Sequence, residues 1–430
     1  MSSEWQTFSV EELVTQRVLA PPLDGNHGAI HPKTSDFVPT GIPFIMASDM
    51  KDGIVDTTNC AFITQQQATT LRKGFAKTGD VLLSHKATIG RTALVGDIET
   101  DYIVLTPQVT YYRVLDTKRL NNRYLKYYFD SAHFQQILGA WAGAGSTRAY
   151  LGITAQRKLP VVLPPIDLQN EIANVAGALD DRIALLRETN ATLEAIAQAL
   201  FKSWFVDFDP VHARARGEQP QGLAPEVAAL FPDSFEEFEL GMVPQGWAVG
   251  TLSEICSISS GKRPPERSDE LSDECHIPLY GGAGLMGYTS ASLFETPRIV
   301  TGRVGTLGKV HVAYPPFWAS DNVLVLTPAE DSIFAFCLHW VSAIDVHALN
   351  RGSSQPLLTQ KDLGAQLGVI PLPEVLVQFE ATVSPLYKQI RANLEQAQTL
   401  ANLRDTLLPR LISGQLRLPD AEQQLKDLAV

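Results

Sequence analysis

Residues Gly79–Gly96, GDVLLSHKATIGRTALVG, return in altered form at Pro297–Tyr314 as PRIVTGRVGTLGKVHVAY. Each copy has a β-rich apolar run, a basic residue (Lys86 or Arg303), an A/G-T-I/L-G turn and a second apolar run. The pattern predicts strand, tight glycine turn, strand, written twice. Further along, Gly145-Ser146-Thr147-Arg148 is matched by Gly352-Ser353-Ser354-Gln355, and LPVVLPP from Leu159 by LGVIPLP from Leu367. Three matches in one order mark an internal repeat.

After each Pro-rich stop comes a segment poor in Gly and Pro with helical periodicity. In the first copy Leu179, Ile183, Leu186, Asn190, Leu193, Ala197, Leu200 and Trp204 alternate spacings of four and three, the a/d pattern of a coiled coil. In the second, Leu386, Ile390, Asn393, Ala397, Leu400, Arg404, Leu407 and Leu411 repeat that grid. Each seam holds one Asn near its middle, which fixes register at some cost in stability. Two helices in identical register favour a seam in which they pack on one another over isolated core helices. Between the first helix and the second copy, Pro210, Pro220, Pro225, Pro232 and Pro244 read as a linker with little helix beyond 225–230.

The expected fold is α+β. Two similar mixed α/β domains, 1–165 and 246–373, are joined by two long helices, 166–208 and 374–418, that form an antiparallel coiled coil with pseudo-twofold symmetry. A Pro-rich linker covers 209–245 and a tail covers 419–430. A chain of 430 residues with 45% hydrophobic and 19% charged residues has the composition of two or three packed domains. Neither a signal peptide nor a membrane span is readable, and four widely spaced cysteines suggest reduced thiols, so a cytoplasmic location is expected.

The net charge of −12 speaks against a polyanionic partner, but the average misleads. Residues 1–165 carry net +2, whereas 166–245 carry −9. Most of the acid lies in one helical and linker block, leaving the domains free to present local basic surfaces.

No catalytic constellation is readable. Gly282-Ala-Gly284-Leu-Met-Gly287 is followed by a poor opening for a phosphate-binding helix and reads as a turn, and Gly302–Lys309 departs from P-loop spacing. Tyr314-Pro315-Pro316-Phe317 lacks the side-chain acceptor of an amino-methyltransferase loop. No metal-ligand spacing is present, so metal: none. What remains is binding. Lys86, Thr88, Arg91, Ser146, Thr147, Arg148, Arg157 and Lys158 in the first copy fall near Gly turns, as do Lys262, Arg263, Arg303, Thr306, Lys309, Arg351, Ser353 and Gln355 in the second. Cations and hydroxyls on loops suit phosphate contact, and Arg, Gln and Asn suit base edges. Recurrence raises the weight of Lys86 with Arg303 and of Arg148 with Gln355.

Phe201-Lys-Ser-Trp-Phe-Val-Asp-Phe-Asp-Pro210, Leu403-Arg-Asp-Thr-Leu-Leu-Pro-Arg-Leu-Ile-Ser-Gly414 and Leu240-Gly-Met-Val-Pro-Gln-Gly-Trp247 carry a resemblance. With the order domain, helix, domain, helix, the chain resembles the DNA-specificity subunit of type I restriction-modification enzymes over about residues 4–418. The resemblance implies two target-recognition domains, each reading half of a split double-stranded DNA sequence, with the helix pair setting the spacing. It also implies two modification (methyltransferase) subunits and restriction (translocase/endonuclease) subunits as partners. No cofactor is then expected on this chain, with S-adenosylmethionine, ATP and Mg on the partners. The alternative from another class is a coiled-coil protein scaffold without DNA specificity.

Overall fold

The computed structural model describes residues 5–143, 149–239, 241–352, 355–417 and 419–420. The chain divides into two compact units, Met1–Arg187 with Leu394–Val430, and Glu188–Asn393. Two helices of 40 residues, Ile166–Phe205 and Pro373–Ile412, each contribute one segment to either unit. At 1.5 Å per residue each is about 60 Å long.

In the first unit, strands Leu23–Asp24, Val109–Tyr112, Val81–Ser84, Thr92–Leu94, Ile54–Val55 and Met50–Lys51 form one sheet in that order. Helix Asn122–Asp130 covers it, burying Tyr124, Leu125, Tyr128 and Phe129 with Leu83 and Tyr112 of the sheet. In the second unit, Cys256–Ser260, Val323–Pro328, Arg298–Gly302 and Val310–Ala313 repeat the first four places of that order. There helix Phe334–Ala343 buries Phe336 and Cys337 against Leu324 and Leu326. A second small sheet in each unit contains a parallel pair, Ile42–Ile45 with Ile103–Leu105 and Ile277–Gly281 with Trp318–Ala319. Each unit also pairs one strand, Gln6–Ser9 or Ala248–Thr251, antiparallel with the strand that leads into a long helix.

The long helices run antiparallel in both units. In the first, Ile172, Ala173 and Ala176 share a core with Leu407, Leu408 and Leu411, while Leu179, Ile183 and Leu186 cluster with Ala397 and Leu400. In the second, Ala197, Phe201 and Trp204 share a core with Val375, Phe379 and Val383. There Asn393 Nδ2 donates to Asn190 Oδ1 at 2.8 Å and Asn190 Nδ2 donates to the Ile390 carbonyl at 3.2 Å, both asparagines being buried. Two amides that satisfy one another accept no slipped register without leaving buried polar atoms bare. Of the remaining seam positions, Leu193, Leu200 and Leu386 are half-buried and Trp204, Ile390, Leu407 and Leu411 are buried.

Two features differ from the sequence reading. The 209–245 segment is not a bare linker. Pro210 sits in the first turn of helix Asp209–Ala215, where its missing N–H costs nothing, and Phe235–Phe238 pairs with Gly241–Pro244 as a hairpin. Val211, Phe231 and Val243 are buried with Trp247, so the segment is part of the second unit's core.

The second feature is ionic. Arg404, the one charged seam residue, pairs with Asp180, which also accepts from Tyr127 Oη at 2.8 Å and faces Lys126 Nζ at 3.4 Å. This network ties helix Asn122–Asp130 to both long helices. The places equivalent to Asp180 and Arg404 in the second unit hold Tyr387 and Ala197; Tyr387 Oη hydrogen-bonds His339 Nε2 at 2.9 Å, and the His339 ring stacks on Phe201 at 5.3 Å. Burial pushes the His339 imidazole down to about 4, so this tie is neutral at pH 7.

Burial works to raise the Asp180 carboxyl, but Lys126, Arg404 and Tyr127 together hold it below its ordinary value. A depressed carboxylate adds stability that is fully present above the unfolded-state value of about 3.9 and is lost as pH falls through the folded-state value. Asp180→Asn should therefore destabilise the first unit by about 2–3 kcal/mol near pH 7, less than the roughly 3–5 kcal/mol of a fully orphaned buried pair, because Lys126 keeps Asp130 at 2.9 Å and Arg404 keeps Asp405 at 2.8 Å. Thermal melts of wild type and variant should converge as the pH drops below 4. A constant difference down to pH 3 would show that the network contributes through shape and not charge.

Candidate nucleic-acid interface

The two glycine turns adopt the same backbone. Ala87 and Gly90 have φ of 64° and 90°, and Gly305 and Gly308 have φ of 79° and 89°. Leu151 N–H donates to the His85 carbonyl and Leu358 N–H to the Arg303 carbonyl. His85 N–H in turn donates to Gln108, and Arg303 N–H to Asn322. These bonds align His85 with Arg303, Lys86 with Val304, Ala87 with Gly305, Thr88 with Thr306 and Arg91 with Lys309. The pairing of Lys86 with Arg303 expected from the sequence is therefore off by one place. The matched cations are Arg91 and Lys309, each directly after the second left-handed residue. Residue-type matching paired the two bases, while the positive-φ positions fix the true register.

In the second unit, backbone hydrogen bonds draw four loops together. Gly261 N–H donates to Val323, Lys262 N–H to Ala319, Arg303 N–H to Asn322 and Gly305 N–H to Pro356. Lys262, Arg263, Thr306, Lys309 and Gln355 are exposed around this junction and Arg303 is half-buried. Lys309 Nζ donates to the Ala283 carbonyl at 2.6 Å, which holds the ammonium against the Gly282–Gly287 turn. A cleft of about 390 Å³ opens beside it, lined in part by Arg263, Arg267, Asp321 and Asn322. Arg351 is committed elsewhere. Its guanidinium grips Asp362 through Nη2 at 2.8 Å and Nε at 3.2 Å, and that hydrogen bonding, helped by Thr359, draws the Asp362 carboxyl down to about 2.

In the first unit Lys86, Thr88 and Arg91 are exposed on the 85–91 turn, where Lys86 forms an isolated antiparallel bridge with Tyr150. Arg91 Nη1 donates to the Ala47 carbonyl at 3.0 Å, which fixes the guanidinium on the rim of a cleft of about 1170 Å³ shared with Lys126, Asp130, Asp180 and Arg404. At the place of Lys262 and Arg263 stand Asn26, which is buried and bonded to Lys73 and Arg72 backbone, and His27, which pairs with Asp24 at 2.8 Å. Among the described residues, the first loop cluster therefore carries fewer free cations than the second. Arg157 is half-buried and Lys158 exposed on a separate turn before strand Pro160–Leu163. Ser146, Thr147, Arg148 and Ser353 lie outside the described residues.

Among the described residues no group of His, Cys, Asp or Glu is placed to hold a metal ion, and no helix is long and apolar enough to cross a membrane. The Gly282–Gly287 stretch is the turn and second strand of a hairpin with no helix after it. It cannot cradle a dinucleotide at a helix N-terminus.

A family model for the type I restriction modification DNA specificity domain matches residues 2–195 and 244–395. The chain belongs to that family. Each matched segment holds one of the glycine turns and most of one long helix, so the repeat read from the sequence is a repeat of this domain. Among curated proteins, the chain is 26% identical over 365 residues to the type I restriction enzyme MjaIX specificity subunit of Methanocaldococcus jannaschii, covering 80% of this chain and 78% of that one. It is 25% identical over 317 residues to the HindI specificity subunit of Haemophilus influenzae, covering 60% and 69%. Among solved structures, the S subunit of a type I restriction-modification system from M. genitalium matches with a TM-score of 0.56 at 17% identity, over 95% of this chain and 96% of that chain. The fold is thus that of a specificity subunit. Within the family, this chain is the part that recognises DNA and not the part that performs chemistry on it.

Sequence reasoning missed Gln108 and Asn322, whose carbonyls receive the His85 and Arg303 N–H groups. The surrounding stretches, TPQV at 106–109 and SDNV at 320–323, share only the final Val, too little to be seen as a repeat.

Proposed function

We propose that this chain reads a bipartite double-stranded DNA target, one half with each unit, and recruits two methyltransferase subunits and restriction subunits to it. The carrying observation is the turn with two left-handed residues followed by a cation, Arg91 in one unit and Lys309 in the other. A cation fixed by a backbone carbonyl on a loop is pre-positioned for phosphate, so little side-chain entropy is lost on contact. In this reading S-adenosylmethionine, ATP and Mg are held by the partner subunits, as membership of the family implies. The assembly works on cellular DNA and so in the cytoplasm.

Salt dependence tests this reading. Binding of the assembled complex to its target should weaken steeply with salt, and each lost phosphate contact should lower the log-log slope by about 0.9. Arg91→Ala and Lys309→Ala should each produce such a step, as should Lys86→Ala and Arg303→Ala if those neighbours also touch phosphate. Unchanged affinity and slope in all four would remove the turns from the interface. A chain that enriches no sequence at all would return the coiled-coil scaffold reading.

A further inference from the structure

Cations on loops supply affinity for any duplex but carry no sequence information, so a reader of base edges must stand among them. The matched loop tips hold one candidate in each unit. Gly25 N–H donates to the Thr106 carbonyl and Gly261 N–H to the Val323 carbonyl, and a Cβ on either glycine would lie 1.9 Å from Leu105 O or 2.1 Å from Ser320 O. Both tips are thus clamped from one side by a glycine that no larger residue can replace. From the other side they are clamped by His85 or Arg303. The residues whose carbonyls take these second bonds are Gln108, half-buried, and Asn322, exposed. The residue two places earlier is a buried hydroxyl in both units, Thr106 and Ser320, whose oxygens have no partner among the described residues. Neither side-chain amide has a hydrogen-bond partner among the described residues.

We propose that Gln108 and Asn322 are specificity-determining residues, each pairing its side-chain amide with the edge of an adenine in the major groove, one in each half of the target. The inference rests on the DNA reading above. An amide offers one donor and one acceptor at the spacing of adenine N7 and N6–H, a match that Lys and Arg cannot make. The backbone at both positions is held rigidly, so the amide is aimed before DNA arrives. Flanking residues differ, Pro107 against Asp321, as expected where two domains read different half-sites around a common element. Arg263 and Asp321 share the cleft with Asn322 and give the second unit further donors and an acceptor.

The test uses the full chain assembled with its modification subunits on a library of random duplexes at fixed salt, with methylated sequences counted. Gln108→Ala should relax one position of one half-site, discrimination there falling roughly fivefold to hundredfold, with the other half-site unchanged. Asn322→Ala should do the same in the other half. Gln108→Glu and Asn322→Asp keep the size but leave only acceptors, and should move preference at those positions from adenine towards cytosine, whose N4 amine donates. These near-isosteric variants guard against simple misfolding. An unchanged motif in all four variants overturns the assignment. So does an equal loss of affinity for every sequence with a reduced salt slope, which would mark a phosphate contact. A wild-type complex without sequence preference would instead overturn the function on which the inference rests.

Discussion

Replacing residues 246–373 with the matching segment of a related chain is expected to change one half of the methylated sequence and leave the other half intact. The cations, amide and cleft of the second loop cluster all fall between Lys262 and Gln355, so the exchange carries the whole cluster. None of the first unit's loops is touched. The exchanged segment must still seat on what remains of its unit. Phe205 meets Phe336 at 5.0 Å and Phe379 at 4.9 Å, and Trp204 meets Phe231 at 5.1 Å, around Trp247. The FKSWF end of the first helix is therefore an aromatic socket for the second domain. A donor segment with aromatic residues at the places of Trp247 and Phe336 should fold in it. One with small residues there should lose about 3–5 kcal/mol per lost ring. Mapping methylated adenines in cells carrying the exchange gives the readout, and a change in both half-sites or in neither would show that the units do not read independently.

The long helices were legible because their signal is redundant. Eight positions at alternating spacings fix one face, and a single asparagine on each grid, Asn190 or Asn393, foretold a pairing that joins residues 203 apart. The strand and turn repeat was legible for its glycines. Its register was not, since the left-handed position that aligns the two turns is filled by Gly305 in one copy and by Ala87 in the other, and alanine gives no hint of positive φ. The 209–245 segment misled because proline both stops and starts helices, and only the burial of Val211 and Phe231 shows which role Pro210 plays. Arg351 looked free because Asp362 lies eleven residues away, and an ion pair at that separation leaves no pattern in the chain. The ionic tie through Asp180 and the neutral one through Tyr387 were hidden likewise, since each joins three elements far apart in the chain.

A two-residue insertion between Ile183 and Leu186 is expected to abolish folding of the first unit's seam, whereas a matched pair of seven-residue insertions is expected to preserve it. Two residues turn the apolar stripe by about 200°, which directs Leu186 and the helix beyond it away from Ala397 and Leu400. Each buried Leu or Ile that loses its partners costs about 2–5 kcal/mol. With Leu186 displaced and the buried Asn190 and Asn393 amides parted at about 1–3 kcal/mol each, the loss approaches the stability of a domain at the lower end of about 5–15 kcal/mol, so thermal melting should lose its cooperative transition. Seven residues turn the stripe by two full turns less about 20°, a drift that supercoiling absorbs, provided the second helix receives its own heptad between Ala397 and Leu400. A heptad in one helix alone would leave its partner short and should behave like the two-residue insertion. The doubly lengthened chain should melt as wild type does while each helix grows by about 10 Å. If the helix pair sets the distance between half-sites, the nonspecific gap of the methylated target should then grow by about three base pairs at 3.4 Å each, with both half-sites unchanged. Methylation that persists at the original gap would show that the seam holds the chain together without measuring the DNA.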